Sequence, residues 1–126
     1  MDKGIVSRPS PYPVAETLDR LEAALHQKGI KVFARIDQQA EAEGVGLTLR
    51  PTQLLIFGDP RAGTPLMAAF PSLALDLPLK ALAWEADDGQ VRLSYNSLAY
   101  LKDRHALPQE PFGPVITLIE EALRGQ

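Results

Sequence analysis

The sequence has no cysteine, which excludes disulfide scaffolds, thiolate zinc sites, iron–sulfur clusters and cysteine nucleophiles. Aromatics are few, at 6% of residues, and no basic excess is present: thirteen Lys and Arg stand against sixteen Asp and Glu, a net charge of −3. A sequence-independent nucleic-acid binder needs a basic surface to neutralise phosphates, so no nucleic-acid partner is expected. Long hydrophobic runs are missing too. Runs such as Leu54-Leu55-Ile56-Phe57 fall far short of the roughly 18 apolar residues of a membrane span. After Met1-Asp2-Lys3-Gly4 only Ile5 and Val6 are strongly apolar, which is no signal-peptide core of about 7–15 residues. The expectation is a cytoplasmic protein that does not engage a membrane.

What is there suits one folded unit. The 126 residues, 45% hydrophobic and 23% charged, match a single domain over 1–126. Eleven prolines and nine glycines cut the chain into short elements. Ile5–Arg8 reads as a strand stopped by Pro9. Val14, Leu18, Leu21 and Leu25 then recur at helical spacing, and Gly29 supplies the stop. Ile30, Val32, Ala34 and Ile36 alternate with Lys31, Phe33, Arg35 and Asp37, the period of a half-buried strand. A short helical segment over Gln38–Glu43 follows, then strand segments at Leu47–Leu49 and Gln53–Phe57. Leu79–Glu85 and Gln90–Tyr95 flank an Asp-Gly turn and predict a hairpin. Short helices close the chain, one through Arg104 and one starting at Pro114. Runs of neighbouring strands without strand–helix alternation after the first unit indicate an α+β fold.

Three groups of residues are candidates for chemistry. In Gly58-Asp59-Pro60-Arg61-Ala62-Gly63-Thr64, glycines allow close backbone approach, and a helix capped by Thr64 with Pro65 in its first turn would offer N–H groups to an anion. The same loop can be merely a tight turn and a cap. It lacks the Gly-Lys-Ser/Thr ending of a phosphate-binding P-loop. In Asp76-Leu77-Pro78-Leu79-Lys80 an acid and a base flank a proline, but four extended residues span about 13 Å, too far for direct pairing unless Pro78 bends the chain. Asn96, Arg104 and His105 form the third group, with His105 read as a residue near a helix end, a cap or surface group rather than a base. His26 is blander still, and no metal-ligand spacing is present. Trp84 and Tyr95 read as cross-strand packing, and Met67 as core filler. No Gly-Xaa-Ser-Xaa-Gly elbow or Ser-Xaa-Xaa-Lys motif marks a nucleophile.

The stretch Leu49-Arg50-Pro51-Thr52-Gln53-Leu54-Leu55-Ile56-Phe57-Gly58-Asp59-Pro60, with Gly63-Thr64-Pro65-Leu66-Met67 after it, resembles the domain of unknown function 302 family. So do Glu16-Thr17, Phe33-Ala34-Arg35-Ile36-Asp37, Asp76-Leu77-Pro78-Leu79-Lys80, Ser94-Tyr95-Asn96 and Arg104-His105, in the family's order. The resemblance implies a TATA-box-binding-protein-like α+β fold, a single curved antiparallel sheet packed by helices in the order β-α-β-β-β-β-α. It does not imply DNA binding, since folds host unrelated functions. Many members read Ile-Asp-His where this chain has Ile36-Asp37-Gln38, so a role for that histidine does not carry over.

The leading expectation is a non-enzymatic domain that binds or senses a small anionic or polar molecule and acts as a homodimer. Its ligand-binding residues would come from Asp37, Gly58, Asp59, Gly63, Thr64, Asp76, Lys80, Asn96, Arg104 and His105. Two other classes stay open: a hydrolase or isomerase using Asp37, Asp59 or Asp76 with His105, and an adaptor binding a protein partner through a sheet edge. No resident metal is expected, and no cofactor is named by any motif.

Overall fold

Helix α1, Val14–Gln27, presents Val14, Leu18, Leu21 and Leu25 as one fully covered stripe, as the spacing predicts. It links two strands that end on opposite edges of one sheet, β1 (Ile5–Ser10) and β2 (Lys31–Asp37). Between them lie β3 (Thr52–Gly58), β4 (Leu79–Glu85) and β5 (Val91–Asn96), in the spatial order β1-β5-β4-β3-β2, every pair antiparallel. The structure is a computed structural model and describes residues 3–124. Helices α2 (Gln38–Gly44), α3 (Pro60–Ala69), α4 (Leu98–His105) and α5 (Gly113–Leu123), with a 3₁₀ turn at Pro71–Leu75, complete an α+β fold whose single sheet is not closed into a barrel.

Directly paired residues share a face, so the register divides the sheet cleanly. Leu55, Ala81 and Tyr95 lie in one row, Ala83 and Leu93 in the next, all on the side covered by α1 and α5. There they meet Leu18, Leu21 and Leu25 of α1 and Leu118, Ile119 and Ala122 of α5 to form the main core. Each fully buried leucine contributes about 1.5–3 kcal/mol of transfer free energy. Arginines seal the flanks. Arg35 on β2 donates to Asp19 and Glu22 of α1 and to Gln53 of β3, while Arg8 on β1 donates to the Tyr95 hydroxyl and pairs with Glu120 of α5.

Several local expectations are corrected. β1 runs on through Pro9 to Ser10, with Pro9 opposite Arg92; an edge strand has one side without ladder bonds and tolerates a proline that lacks an N–H. Leu47–Leu49 is not a strand. Gly46 turns the chain at φ +80°, and both leucines stand exposed between that turn and Pro51. The alternation in β2 is broken by a bulge between Val32 and Ala34. Val32 pairs with Phe57 on the covered side, whereas Ala34 and Ile36 pair with Ile56 and Leu54 on the other. One extra residue reverses the phase, and Phe33 is the residue left over.

Candidate functional site

Phe33 leads to the principal cavity. At the end of the sheet where β3 stops at Gly58, a cleft of about 910 Å³ opens between α3, α5 and the Leu77-Pro78-Leu79 segment. Phe33, Phe57, Met67, Leu77, Phe112 and Val115 supply much of its apolar wall, and Lys28, Asp59, Thr64, Thr117 and Glu121 its polar side chains. Gly63 is buried, and a Cβ there would sit 3.5 Å from Leu77 Cδ1 and 3.8 Å from Met67 Cε. Leu77-Pro78 is a cis peptide, and a Cβ on Gly58 would meet Pro78 Cβ at 3.7 Å. Met67, expected as core filler, lines this wall instead.

The motif loop therefore reaches a cavity, but by a different local structure from the one expected. Helix α3 starts at Pro60, not at Thr64. Asp59 is its cap: the carboxylate accepts from the Arg61 backbone N–H at 3.0 Å and from Arg61 Nε at 3.1 Å. Asp followed by Pro satisfies the cap and the first helical position together, so the helix begins one turn earlier. Thr64 and Pro65 fall inside it, and Gly63 is a helical residue rather than a turn. The Arg61 side chain, and then its backbone N–H, hold the Asp59 carboxyl below its ordinary pKa. A negative charge thus already occupies the start of this helix, and Thr64, the expected anion-binding cap, lies inside it.

The remaining candidates divide. Asp76, Arg104 and His105 are brought together. His105 Nε2 lies 2.6 Å from Asp76 Oδ2, and Arg104 Nε lies 3.4 Å from the same oxygen. The His105 side chain is only 2% exposed, so the reading of a surface or capping histidine is wrong. What moved it inside is tertiary: α4 packs on the 3₁₀ turn, whose Leu73 is buried, as are Leu98 and Leu101 of α4. Its other ring nitrogen, Nδ1, lies 2.7 Å from Ser72 Oγ, a residue that no motif singled out. Arg104 also donates to the Tyr100 hydroxyl at 2.7 Å, and that bond, followed by the charge of Asp76, raises the guanidinium pKa. Lys80 Nζ donates to the Pro78 carbonyl at 3.4 Å rather than pairing with Asp76. Asn96 is exposed at the end of β5, beside Ser97, which caps α4. Asp37 caps α2 by accepting from the Ala40 N–H, and Gln38 is that helix's first residue. Among the described residues no cluster of three or more His, Asp or Glu could hold a metal ion.

The sequence pattern of the family described as "Domain of unknown function DUF302" matches residues 6–124. This chain belongs to the DUF302 family. A crystal structure titled as an uncharacterized conserved protein DUF302 from Bacillus stearothermophilus superposes with a TM-score of 0.73 over 94% of this chain and 88% of that one. At 16% identity that likeness speaks for the fold alone. Two curated proteins, each called "Fluoride-specific ion channel FluC 1", from Brucella suis and Brucella abortus, are 46% identical over 107 residues, 85% of this chain. The match spans only 42% and 40% of those proteins. Among the described residues of this DUF302 chain, no helix is long and apolar enough to cross a membrane.

Proposed function

We propose that this DUF302 domain binds a small molecule with an apolar body and a polar end in the cavity beside Gly58 and Gly63. The single observation behind this reading is the cavity itself. Its volume of about 910 Å³ suits a metabolite-sized ligand, and its walls are largely apolar with a few polar groups at hand. The ligand class narrows the expected small anionic or polar molecule to one with an apolar body, because Asp59 supplies the negative charge at the start of α3 and aromatic and aliphatic side chains supply most of the wall. In the Brucella relatives the shared segment is then a binding module, and the channel named for them would lie in the longer part that this chain does not match.

The probe is 1-anilinonaphthalene-8-sulfonate, an apolar fluorophore with one charged group. A saturable rise in its fluorescence is expected, together with its loss in Gly63→Leu, whose side chain would project between Leu77 and Met67. Leucine is a better helix former than glycine, so α3 is preserved. Equal binding by Gly63→Leu and the parent would sink the reading.

A homodimer is the second part of the proposal, and it rests on the sheet's other face. Ile36, Leu54, Ile56, Leu82 and Trp84 lie there in adjoining rows, only half-buried, in a chain where helices cover the opposite side. A second copy of the same face is the natural cover, since a twofold axis makes any apolar patch its own partner. Sedimentation equilibrium is expected to show a species of twice the 13.8 kDa chain mass at micromolar concentration. A single species of chain mass would remove this part.

A further inference from the structure

Ser72, His105 and Asp76 form a hydrogen-bonded line in which one imidazole is held from both sides. Ser72 Oγ is 2.7 Å from Nδ1, and Asp76 Oδ2 is 2.6 Å from Nε2. Each neighbour fixes what the ring can do. Asp76 accepts from Nε2–H, so the neutral ring presents its lone pair at Nδ1, towards the serine hydroxyl. The imidazole and carboxylate are nearly enclosed, with side chains 2% and 15% exposed, whereas Ser72 is exposed on the outer side of the 3₁₀ turn Pro71–Leu75. A shielded base and its orienting acid behind an accessible hydroxyl is the functional arrangement of a serine nucleophile, recognised by geometry and not by position in the chain. None of the three side chains lines the cavity, so this site stands apart from the binding reading.

We propose that Ser72 is an acyl-accepting nucleophile, with His105 as its general base and Asp76 as the group that orients His105, acting on esters of small acyl groups. In the first step Ser72 Oγ bonds to the acyl carbon while its proton passes to His105 Nδ1. The carbon–oxygen bond to the leaving group then breaks, and the departing alkoxide or phenoxide takes the proton from Nδ1. Water reverses the sequence: it adds to the acyl carbon, gives its proton to Nδ1, and Ser72 leaves with that proton restored. No redox partner is involved, and the products are the free acid and the alcohol. Because Asp76 holds the far side of the ring, removing its negative charge should slow acylation without touching the nucleophile. Arg104, at 3.4 Å from Asp76 Oδ2, helps to keep that carboxylate in place.

The experiment is covalent labelling of the full chain with an alkyl fluorophosphonate, followed by peptide mapping, alongside the burst of p-nitrophenol from p-nitrophenyl acetate. The expected result is an adduct on Ser72 that forms at least tenfold faster than on the exposed Ser7. Loss of a general base costs about 10²–10⁴-fold, so His105→Gln is expected to cut the Ser72 rate by at least a hundredfold. His105 is buried, and that variant can fail to fold. Asp76→Asn keeps the side-chain shape and is expected to slow labelling at least tenfold with the circular dichroism spectrum unchanged. Ser72→Ala should abolish both the adduct and the burst. Labelling of Ser72 no faster than Ser7, or at an unchanged rate in folded Asp76→Asn, would overturn the proposal and leave the triplet as a brace between the 3₁₀ turn and α4.

Discussion

The two faces of this sheet come from the same five strands and the same period of two, yet only one is covered. On the helix side Leu55, Ala81, Ala83 and Leu93 have no exposed surface. On the other side Ile36, Leu54, Ile56 and Leu82 are apolar as well but stay half-buried. The difference lies in what the connections bring. The link from β1 to β2 lays α1 across the sheet, and the C-terminal α5 packs beside it, both on one side. The open face has α2 packed near β3 and a short polar row, in which Trp84 Nε1 donates to Ser94 Oγ and Ser94 lies 2.7 Å from Ser7 Oγ. Alternation reports that a strand has an apolar side. It does not report whether the chain itself or a second molecule covers that side.

The largest expected effect tests the covered face. Leu93→Ala should lower the unfolding free energy by about 2–5 kcal/mol, the cost of a cavity in a tightly packed core. Urea denaturation at low protein concentration would read it, against Leu82→Ala on the adjacent strand's open side, where a loss below about 1.5 kcal/mol is expected because less surface is returned to water. Equal losses at the two positions would erase the distinction between the faces.

An intermediate effect sharpens the same contrast from the other direction. Leu82→Arg places a charge in the middle of the open face, where it would have to be desolvated if a second copy sits there. The dissociation constant of the proposed dimer is expected to rise at least tenfold in sedimentation equilibrium, with thermal stability of the dilute protein close to that of the parent. An unchanged constant would mean that the face is not the contact.

How far the sequence could be read follows the same division between local and tertiary causes. Helix α1 is legible because four leucine and valine positions and Gly29 act within one stretch of chain. The β4–β5 hairpin is legible for the same reason, and the family motif carried the fold. Phe33 was misplaced because a bulge is not a compositional signal: it moves one residue and reverses the phase of the rest. Thr64-Pro65 reads as a good cap pair, yet Asp59-Pro60 is a better one a turn earlier. The Ser72–Asp76–His105 line was least visible. Ser72 and Asp76 are four residues apart in a tight turn, but His105 comes 33 residues after Ser72 and reaches it only once α4 packs. The cavity is half legible: its glycines stand out in the sequence, while its apolar wall is assembled from α3, α5 and the bulge.

The smallest expected effect concerns Asp59, where one local cap opens the wall of the cavity. Its carboxyl is held below the ordinary carboxylate value, first by the Arg61 side chain and then by the Arg61 backbone N–H. Because the folded state favours the charged form more than the unfolded chain does, the cap's contribution is complete at pH above the ordinary carboxylate pKa of about 3.9. It is lost as pH falls through the lower, folded-state value. At neutral pH, Asp59→Asn should therefore have a slightly reduced melting temperature, since asparagine still caps but carries no charge for Arg61 or for the helix dipole. Below about pH 3.9 the gap between variant and parent should close as the parent's carboxyl takes up its proton. A gap that stays constant from pH 7 to pH 2 would mean that Asp59 acts through its shape alone. The start of α3 would then be neutral in effect, and Asp59 would not keep anions from the motif loop.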